Sequence, residues 1–331
     1  MTPARLALVL SSLAAAAGCG GLARPPLAPS DPLPATVTAP DRAVTWRGGA
    51  APLSSAADAQ MVLIPAGRSV AGSTPEERAA AYDSYRASAG HDGAREHDWF
   101  ETEEDRHIVE LPAFRLDLMP VTNAAYAEFV ADGGAPAPSI DEATWKAQGF
   151  RQAWPDEVER FVWRDGRPPP QREDHPVVLI TWDDAAAYCV WRGQVAGAPR
   201  RLPSAHELEK AARGPEGFAY PWGATFEPAR LNSAVGGPRD TVPVGSYPDA
   251  ASPFGVLDTA GNVFQWTATP WPPPPPGTTA GRTAEMTVKG SAWDDFGGLG
   301  RGAAWHGRPR GARHVIVGFR CAADAGAEAA P

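Results

Sequence analysis

TVPVGSYPDAASPFGVLDTAGNVFQWTAT, Thr241–Thr269, is followed by VKGSAW, Val288–Trp293, and by VGFRCA, Val317–Ala322. The blocks are dense in Gly, Pro and Trp, residues of tight turns and of aromatic packing. Across the chain the twelve tryptophans read first as core and turn packing, with a binding role for Trp182, Trp266 or Trp293 second to that. A chain of 331 residues with 43% hydrophobic residues fills one large core or two ordinary ones, and one dominant domain is the reading here. The net charge of -9 and the pI near 5.3 leave no sustained basic stripe, which excludes nucleic acid as a main partner class.

Working back from these blocks, RRLPSAHELEKAARG (Arg200–Gly214) carries a clear local signal. Ser204 and Glu207 form an S-x-x-E capping box, and Gly214 ends the helix they start. DHPVVLITWDDAAAYCVW, residues 174–191, reads as a strand from Val177 to Thr181 and then a helix from about Asp183 that carries Cys189. In IVELPAFRLDLMPVTNAAYAEFVADGG, residues 108–134, a strand and turn precede a helix capped by Thr122 and ended by Gly133. Ala125, Tyr126, Phe129 and Val130 recur there at helical spacing, as a core-facing stripe does. MVLIPAGRSVAGS, Met61–Ser73, spells two short strands around Pro65-Ala66-Gly67.

Between these segments, Thr74–Arg106 is charged and holds His91, His97, Glu101, Glu103, Glu104 and Asp105. No ligand spacing of a dedicated metal site links them, so the segment is expected to be a solvated insertion. Pro272–Pro276 reads as a rigid exposed spacer.

The N-terminus, MTPARLALVLSSLAAAAGCGG, has one cation at Arg5, an apolar run from Leu6 to Ala17 and small residues before Cys19. That is the pattern of an export signal, here residues 1–18, and the run is shorter than the ~20 residues of a comfortable membrane span. Ala16-Ala17-Gly18-Cys19 resembles a bacterial lipobox with Ala in place of the usual Leu. Lipidation of Cys19 is expected, and a plain secretory cleavage before it is the alternative. Gly20 lacks the aspartate associated with inner-membrane retention, which favours the outer membrane. Residues 19–59 are rich in Pro, Ala, Ser and Gly and too poor in large apolar groups to order themselves, so they read as a disordered tether.

The order of the blocks from Met61 to Ala322 resembles the formylglycine-generating enzyme and sulfatase-modifying-factor family, whose members oxidise a sulfatase cysteine. Leu208 stands where the family's RLPTEAEWE block has Trp, while Glu207, Glu209, Ala211 and Arg213 remain. The resemblance implies a single α+β domain of C-type-lectin-like fold with little regular secondary structure, over residues 60–324. It also implies a disulfide between Cys189 of AAYCVW and Cys321 of VGFRCA, in keeping with an oxidising compartment. Such a bridge stabilises by ~3 to 5 kcal/mol, and two buried free thiols are the alternative.

In active members two cysteines follow an RGGSW-like block and bind copper, since a cuprous ion needs soft thiolates. VKGSAW places Lys289 at the arginine, Ala292 at the serine and Trp293 at the aromatic, and the two cysteine positions fall near Asp295 and Gly300. Ile316 stands where the family keeps an active-site asparagine. With Cys19 lipidated or removed and the other two cysteines in the bridge, no thiol is left, so copper is not expected. His306 with Asp294 or Asp295 would make a harder metal site, but no HxH or facial-triad spacing supports one.

Family members also use calcium. Asn232, Asp240 and Asn262 match its blocks, while Gln265 replaces a glutamate and removes a charge on which calcium affinity depends. The Asn262 site is expected to be weak or empty. For Asn232 and Asp240, calcium and a turn held by side-chain bonds both remain open.

The expectation is therefore the fold without its chemistry. The chain reads as an envelope-anchored lipoprotein, held in the membrane by its N-terminal lipid, whose domain binds a protein or an envelope glycan. The binding cleft would be lined by Trp266, Trp293, Asp294, Asp295 and His306. The alternative is an oxidoreductase of altered mechanism with His306 as a metal ligand.

Overall fold

The computed structural model describes residues 60–271 and 285–326. The signal peptide, the whole tether with Cys19, and Pro272–Pro276 lie outside them. All of the described residues fall in one unit, Val37–Pro331. Strand β1 (Met61–Ile64) and strand β2 (Gly67–Ala71) flank the Pro65-Ala66 turn but do not pair with each other. Instead, β2 pairs antiparallel with β3 (His107–Leu111), and β1 pairs antiparallel with β4 (Phe114–Asp117). Strand β9 (Ala322–Asp324) joins the other side of β4, so the two ends of the described domain share one three-stranded sheet. A second sheet has the order β7-β6-β5-β8, formed by β5 (Phe264–Pro270), β6 (Glu285–Lys289), β7 (Trp305–Pro309) and β8 (Val317–Gly318). Its β5 and β8 run parallel.

Helices fill the space around these short sheets. Helix α1 (Pro75–Ala89) and the single turn α2 (Gly93–Glu96) lie in the segment between β2 and β3. Next come α3 (Asn123–Ala131), α4 (Glu142–Ala147), α5 (Trp182–Ala196) and α6 (Ala205–Arg213). Thr122 caps α3, and the Ser204/Glu207 box caps α6 in both directions. Thr181 and Asp184 form a second box on α5.

The main core gathers Tyr126, Phe129, Trp145, Trp182, Tyr188 and Trp191 from the helices with Trp266, Trp293 and Phe319 from the C-terminal blocks. Buried indoles keep polar partners: Trp182 Nε1 donates to the Thr267 carbonyl at 2.7 Å. Inside this core Cys189 of α5 and Cys321 are joined by a disulfide, with their Cα atoms 5.6 Å apart. A second cluster packs Leu208 and Ala211 of α6 on Ile64, Phe114 and Leu116. Among the described residues no helix is long and apolar enough to cross a membrane.

Two local expectations are corrected. Residues 177–181 are not a strand: Leu179 takes a positive φ of 59°, which breaks an extended run. The segment threads the core instead, with the Val177 amide donating to the Val121 carbonyl and the Leu179 amide to the His314 carbonyl. Nor is Thr74–Arg106 a solvated insertion. Thr74 Oγ1 accepts the Glu77 amide and Glu77 Oε2 accepts the Thr74 amide, a third capping box, with Pro75 in the first turn. The helix it starts buries Tyr82 and Tyr85 against Phe100 and Leu299 in a third apolar cluster.

Candidate functional site

The residues aligned with the family's reactive centre lie at the C-terminal end of β6 and in the loop after it. Strand β6 delivers Lys289 beside Gln265 of β5 and Trp305 of β7. Its ammonium donates to Glu209 of α6 at 2.7 Å, and the same carboxylate takes Arg213 at 2.7 Å and the Gly72 amide at 2.9 Å. Lys289 and Glu209 are both buried, and each charge is compensated by the other. Burial raises the Glu209 pKa, and the Lys289 and Arg213 charges more than reverse this, leaving it below the ordinary carboxylate value. The lysine at the family's arginine position is thus part of a structural network.

Asp294 and Asp295 follow. Asp294 Oδ2 accepts Arg151 Nη2 at 2.9 Å and Gln152 Nε2 at 2.7 Å. Asp295 Oδ2 accepts the Ala292 amide at 2.8 Å, while its carbonyl accepts the Ala234 amide at 2.8 Å. Burial and then the neighbouring Asp294 push the Asp295 carboxyl up to about 7, with the Ala292 amide and the Arg151 and Arg308 charges acting the other way.

His306 faces Phe264 edge-on with ring centroids 5.3 Å apart, and its enclosed Nε2 has no hydrogen-bond partner. Burial, then Arg308 and Lys289, pull its pKa down to about 3, so the ring is neutral. Ile316 is buried in the main core.

A cuprous centre does not fit these residues. Asp295 offers a hard oxygen already bonded to an amide, and glycine at 300 offers no side-chain donor at all. A Cβ at Gly300 would lie 3.2 Å from Leu231 Cδ1 and 3.3 Å from Ser291 Oγ, so the chain has closed in on that position. Among the described residues both cysteines are in the disulfide, and no thiol remains near the loop.

The expected open cleft is also corrected. Trp266 is 0% exposed, Trp293 1%, Asp294 3% and Asp295 8%; with His306 half-buried, these five belong to the interior. Trp266 and Trp293 are packed into the main core, with Phe161 stacked on Trp293 at 6.2 Å, and the helical segment before β3 packs on the loop that follows Asp295. Ser88 Oγ accepts the Gly297 amide at 2.9 Å, and Tyr85 meets Phe296 edge-on at 5.6 Å. Gly298 has φ +89°, and a Cβ there would lie 2.5 Å from the Ala81 carbonyl oxygen, so the α1 backbone comes as close as only glycine permits. Glu103 then locks the segment to Arg301 in a fully buried ion pair.

An open cavity lies beside α1, next to the end of this loop, and shares Ala81, Ser84 and Arg301 with it. It has a volume of about 530 Å³, and its lining includes Glu77, Ser84, Arg106, Phe218, Tyr220 and Phe226. Phe218 is 39% exposed, while Tyr220 is stacked on Trp222 at 5.4 Å. None of these residues was marked by sequence, because they come from a charged helix and a turn that meet only in the fold.

Of the four residues considered for calcium, Asp240 is paired by Arg172 through both carboxylate oxygens. The Asn262 amide group bonds Val242 in both directions, at 3.0 and 3.1 Å. Gln265 donates to the Asp258 carbonyl at 2.8 Å and accepts from Arg320 Nε. Only Asn232 Oδ1, which is buried, lacks a hydrogen-bond partner in this group. Calcium here would have to displace the Arg172 guanidinium from Asp240. A separate convergence brings Glu104, at the helical segment's end, and His107 of β3 beside His206 of α6.

These features define a formylglycine-generating-type α+β domain whose reactive loop carries no thiol and lies beneath a helical cap. A family model described as the sulfatase-modifying factor enzyme 1-like domain matches residues 50–325, and the chain belongs to that family. It is 30% identical over 311 residues to the inactive C-alpha-formylglycine-generating enzyme 2 of Mus musculus, covering 83% of this chain and 89% of that protein. It is 31% identical over 277 residues to the formylglycine-generating enzyme of Mycobacterium tuberculosis, covering 66% of this chain and 90% of the relative. Among solved structures, PvdO from Pseudomonas aeruginosa shares the fold, with a TM-score of 0.54, 24% identity and coverage of 80% of this chain and 94% of that one.

Proposed function

We propose that this chain is a non-catalytic member of its family, a lipoprotein anchored through Cys19 in the bacterial outer membrane, whose domain binds a protein or an envelope glycan. The observation that carries the reading is Asp295 and Gly300 at the reactive cysteine positions, both buried in a loop that packs against α1. Likeness to a mouse protein named inactive supports it. The oxidoreductase alternative draws a similar likeness, to the formylglycine-generating enzyme of Mycobacterium tuberculosis, but among the described residues its candidate ligand His306 joins no group of three metal-ligating side chains.

Binding is assigned to the cavity beside α1. Phe218 and Phe226 offer aromatic faces, while Ser84 and the Glu77–Arg106 ion pair line the polar side. That mixture suits a sugar ring or an amphipathic peptide side chain. A photoreactive phenylalanine analogue at position 218, in cells carrying the full chain, is expected to give a discrete adduct. The same analogue in place of Leu63, 50% exposed on β1, is expected to give none. Absence of an adduct at 218, or the same adducts from both positions, would contradict the assignment.

A further inference from the structure

We infer that Glu104, His107 and His206 form a binding site for a divalent transition-metal ion, with zinc the best-suited probe. The three ligand atoms lie within 4.8 Å of one another. His206 Nε2 is 2.8 Å from Glu104 Oε2, and His107 Nε2 is 3.8 Å from the same oxygen. A tetrahedral ion with bonds of ~2.0–2.1 Å holds its ligand atoms about 3.3 Å apart, so these two separations bracket the required spacing. Two imidazoles and a carboxylate are a donor set suited to borderline ions such as zinc, not to calcium or magnesium, which take oxygen.

The site is built from three rigid pieces. The Glu104 carbonyl accepts the Ser73 amide at 2.9 Å, and the Arg106 amide donates back to Ser73 at 3.0 Å, which fixes the loop that carries the carboxylate. His107 opens β3, where residue 71 is its pairing partner. His206 stands in the first turn of α6, behind the Ser204 capping box.

Orientation points the same way. His107 Nδ1 lies 2.8 Å from the Asp105 carbonyl oxygen, and a proton donated along that contact leaves the Nε2 lone pair directed at Glu104. Metal-bound histidines are held by this kind of outer contact. A simple His206–Glu104 hydrogen bond has no need of the second imidazole, and it leaves His107 Nε2 too far from the carboxylate to share in it. Three protein ligands leave a fourth position for water. The two imidazoles are 43% and 27% exposed, so that position opens to solvent. An ion here would clamp the end of the cap segment to α6.

The test uses the untagged full chain, stripped with a chelator and then dialysed against zinc, with bound metal counted by mass spectrometry. One zinc ion per chain is expected. His206→Ala and His107→Ala should each lose it, with affinity falling by at least the ~10–100-fold that loss of an outer contact causes. His91→Ala, elsewhere in the cap segment, should retain it. Cobalt in place of zinc should give visible absorption of a low-coordinate nitrogen–oxygen site, and that absorption should disappear in Glu104→Gln. Both histidines are partly exposed, so the metal-free variants are expected to melt as the metal-free parent does. No stoichiometric zinc on the parent chain, or full zinc retention in His206→Ala, would overturn the assignment.

Discussion

Glu103→Ala is expected to destabilise the domain by about 3–5 kcal/mol, because it leaves the Arg301 guanidinium buried without its counter-charge. The Glu103 side chain is 0% exposed and that of Arg301 6%. Glu103 also accepts the Ser73 hydroxyl at 2.5 Å, and Arg301 stacks over Phe100 at 5.0 Å. Without the carboxylate, Arg301 Nε still donates to the Gly298 carbonyl at 3.1 Å, which does not compensate its charge. The double variant Glu103→Leu/Arg301→Met should lose much less than Glu103→Ala, since an apolar pair of similar volume often replaces a buried ion pair at little or no loss. Equilibrium urea unfolding of the three proteins gives the comparison. A loss below about 1 kcal/mol in Glu103→Ala, the range of an exposed pair, would mean that the cap is not locked as described.

The second large effect concerns the disulfide. Cys189 and Cys321 are 132 residues apart and both 0% exposed. Cross-linking a loop of that length removes chain entropy from the unfolded state equivalent to about 5 kcal/mol in the loop-entropy treatment. Cys189→Ala/Cys321→Ala is therefore expected to unfold at markedly lower denaturant, with a loss of about 4–5 kcal/mol. Because the sulfurs sit among Tyr188 and Phe319, mild reductant should leave the folded parent oxidised. An unchanged denaturation midpoint in the double variant would remove the bridge from the account of stability.

The parts legible in sequence were those set by local chemistry. Ser204 and Glu207 are three residues apart and cap their helix wherever it packs, and Thr122 does the same for α3. The family blocks located both cysteines, whose pairing the structure shows. The Thr74/Glu77 box was equally local, yet the charged residues around it read as a solvated run. The apolar side chains of α1 that matter, Tyr82 and Tyr85, find their partners Phe100 and Leu299 only across the fold.

The site was less legible for the same reason. Trp266 and Trp293 are tryptophans on either reading, and whether they line a cleft or fill a core depends on what covers them. Their cover comes from partners far along the chain, Phe161 stacked on Trp293 and the Ile180 carbonyl at Trp266. His206 lies a hundred residues from Glu104, so no ligand spacing could have linked them. Leu179 failed as a strand residue because its neighbours' β-branched pattern carries no mark of a positive φ.

The central claim is that the fold is kept and the thiol chemistry is gone. Its most direct measurement is mass spectrometry of a sulfatase-type Cys-x-Pro-x-Arg peptide after incubation with the oxidised, folded chain, copper, oxygen and reductant. The peptide cysteine is expected to remain unconverted, because Asp295 and Gly300 give a cuprous ion no thiolate and α1 covers the loop. Conversion of that cysteine to formylglycine by the purified chain would contradict the account.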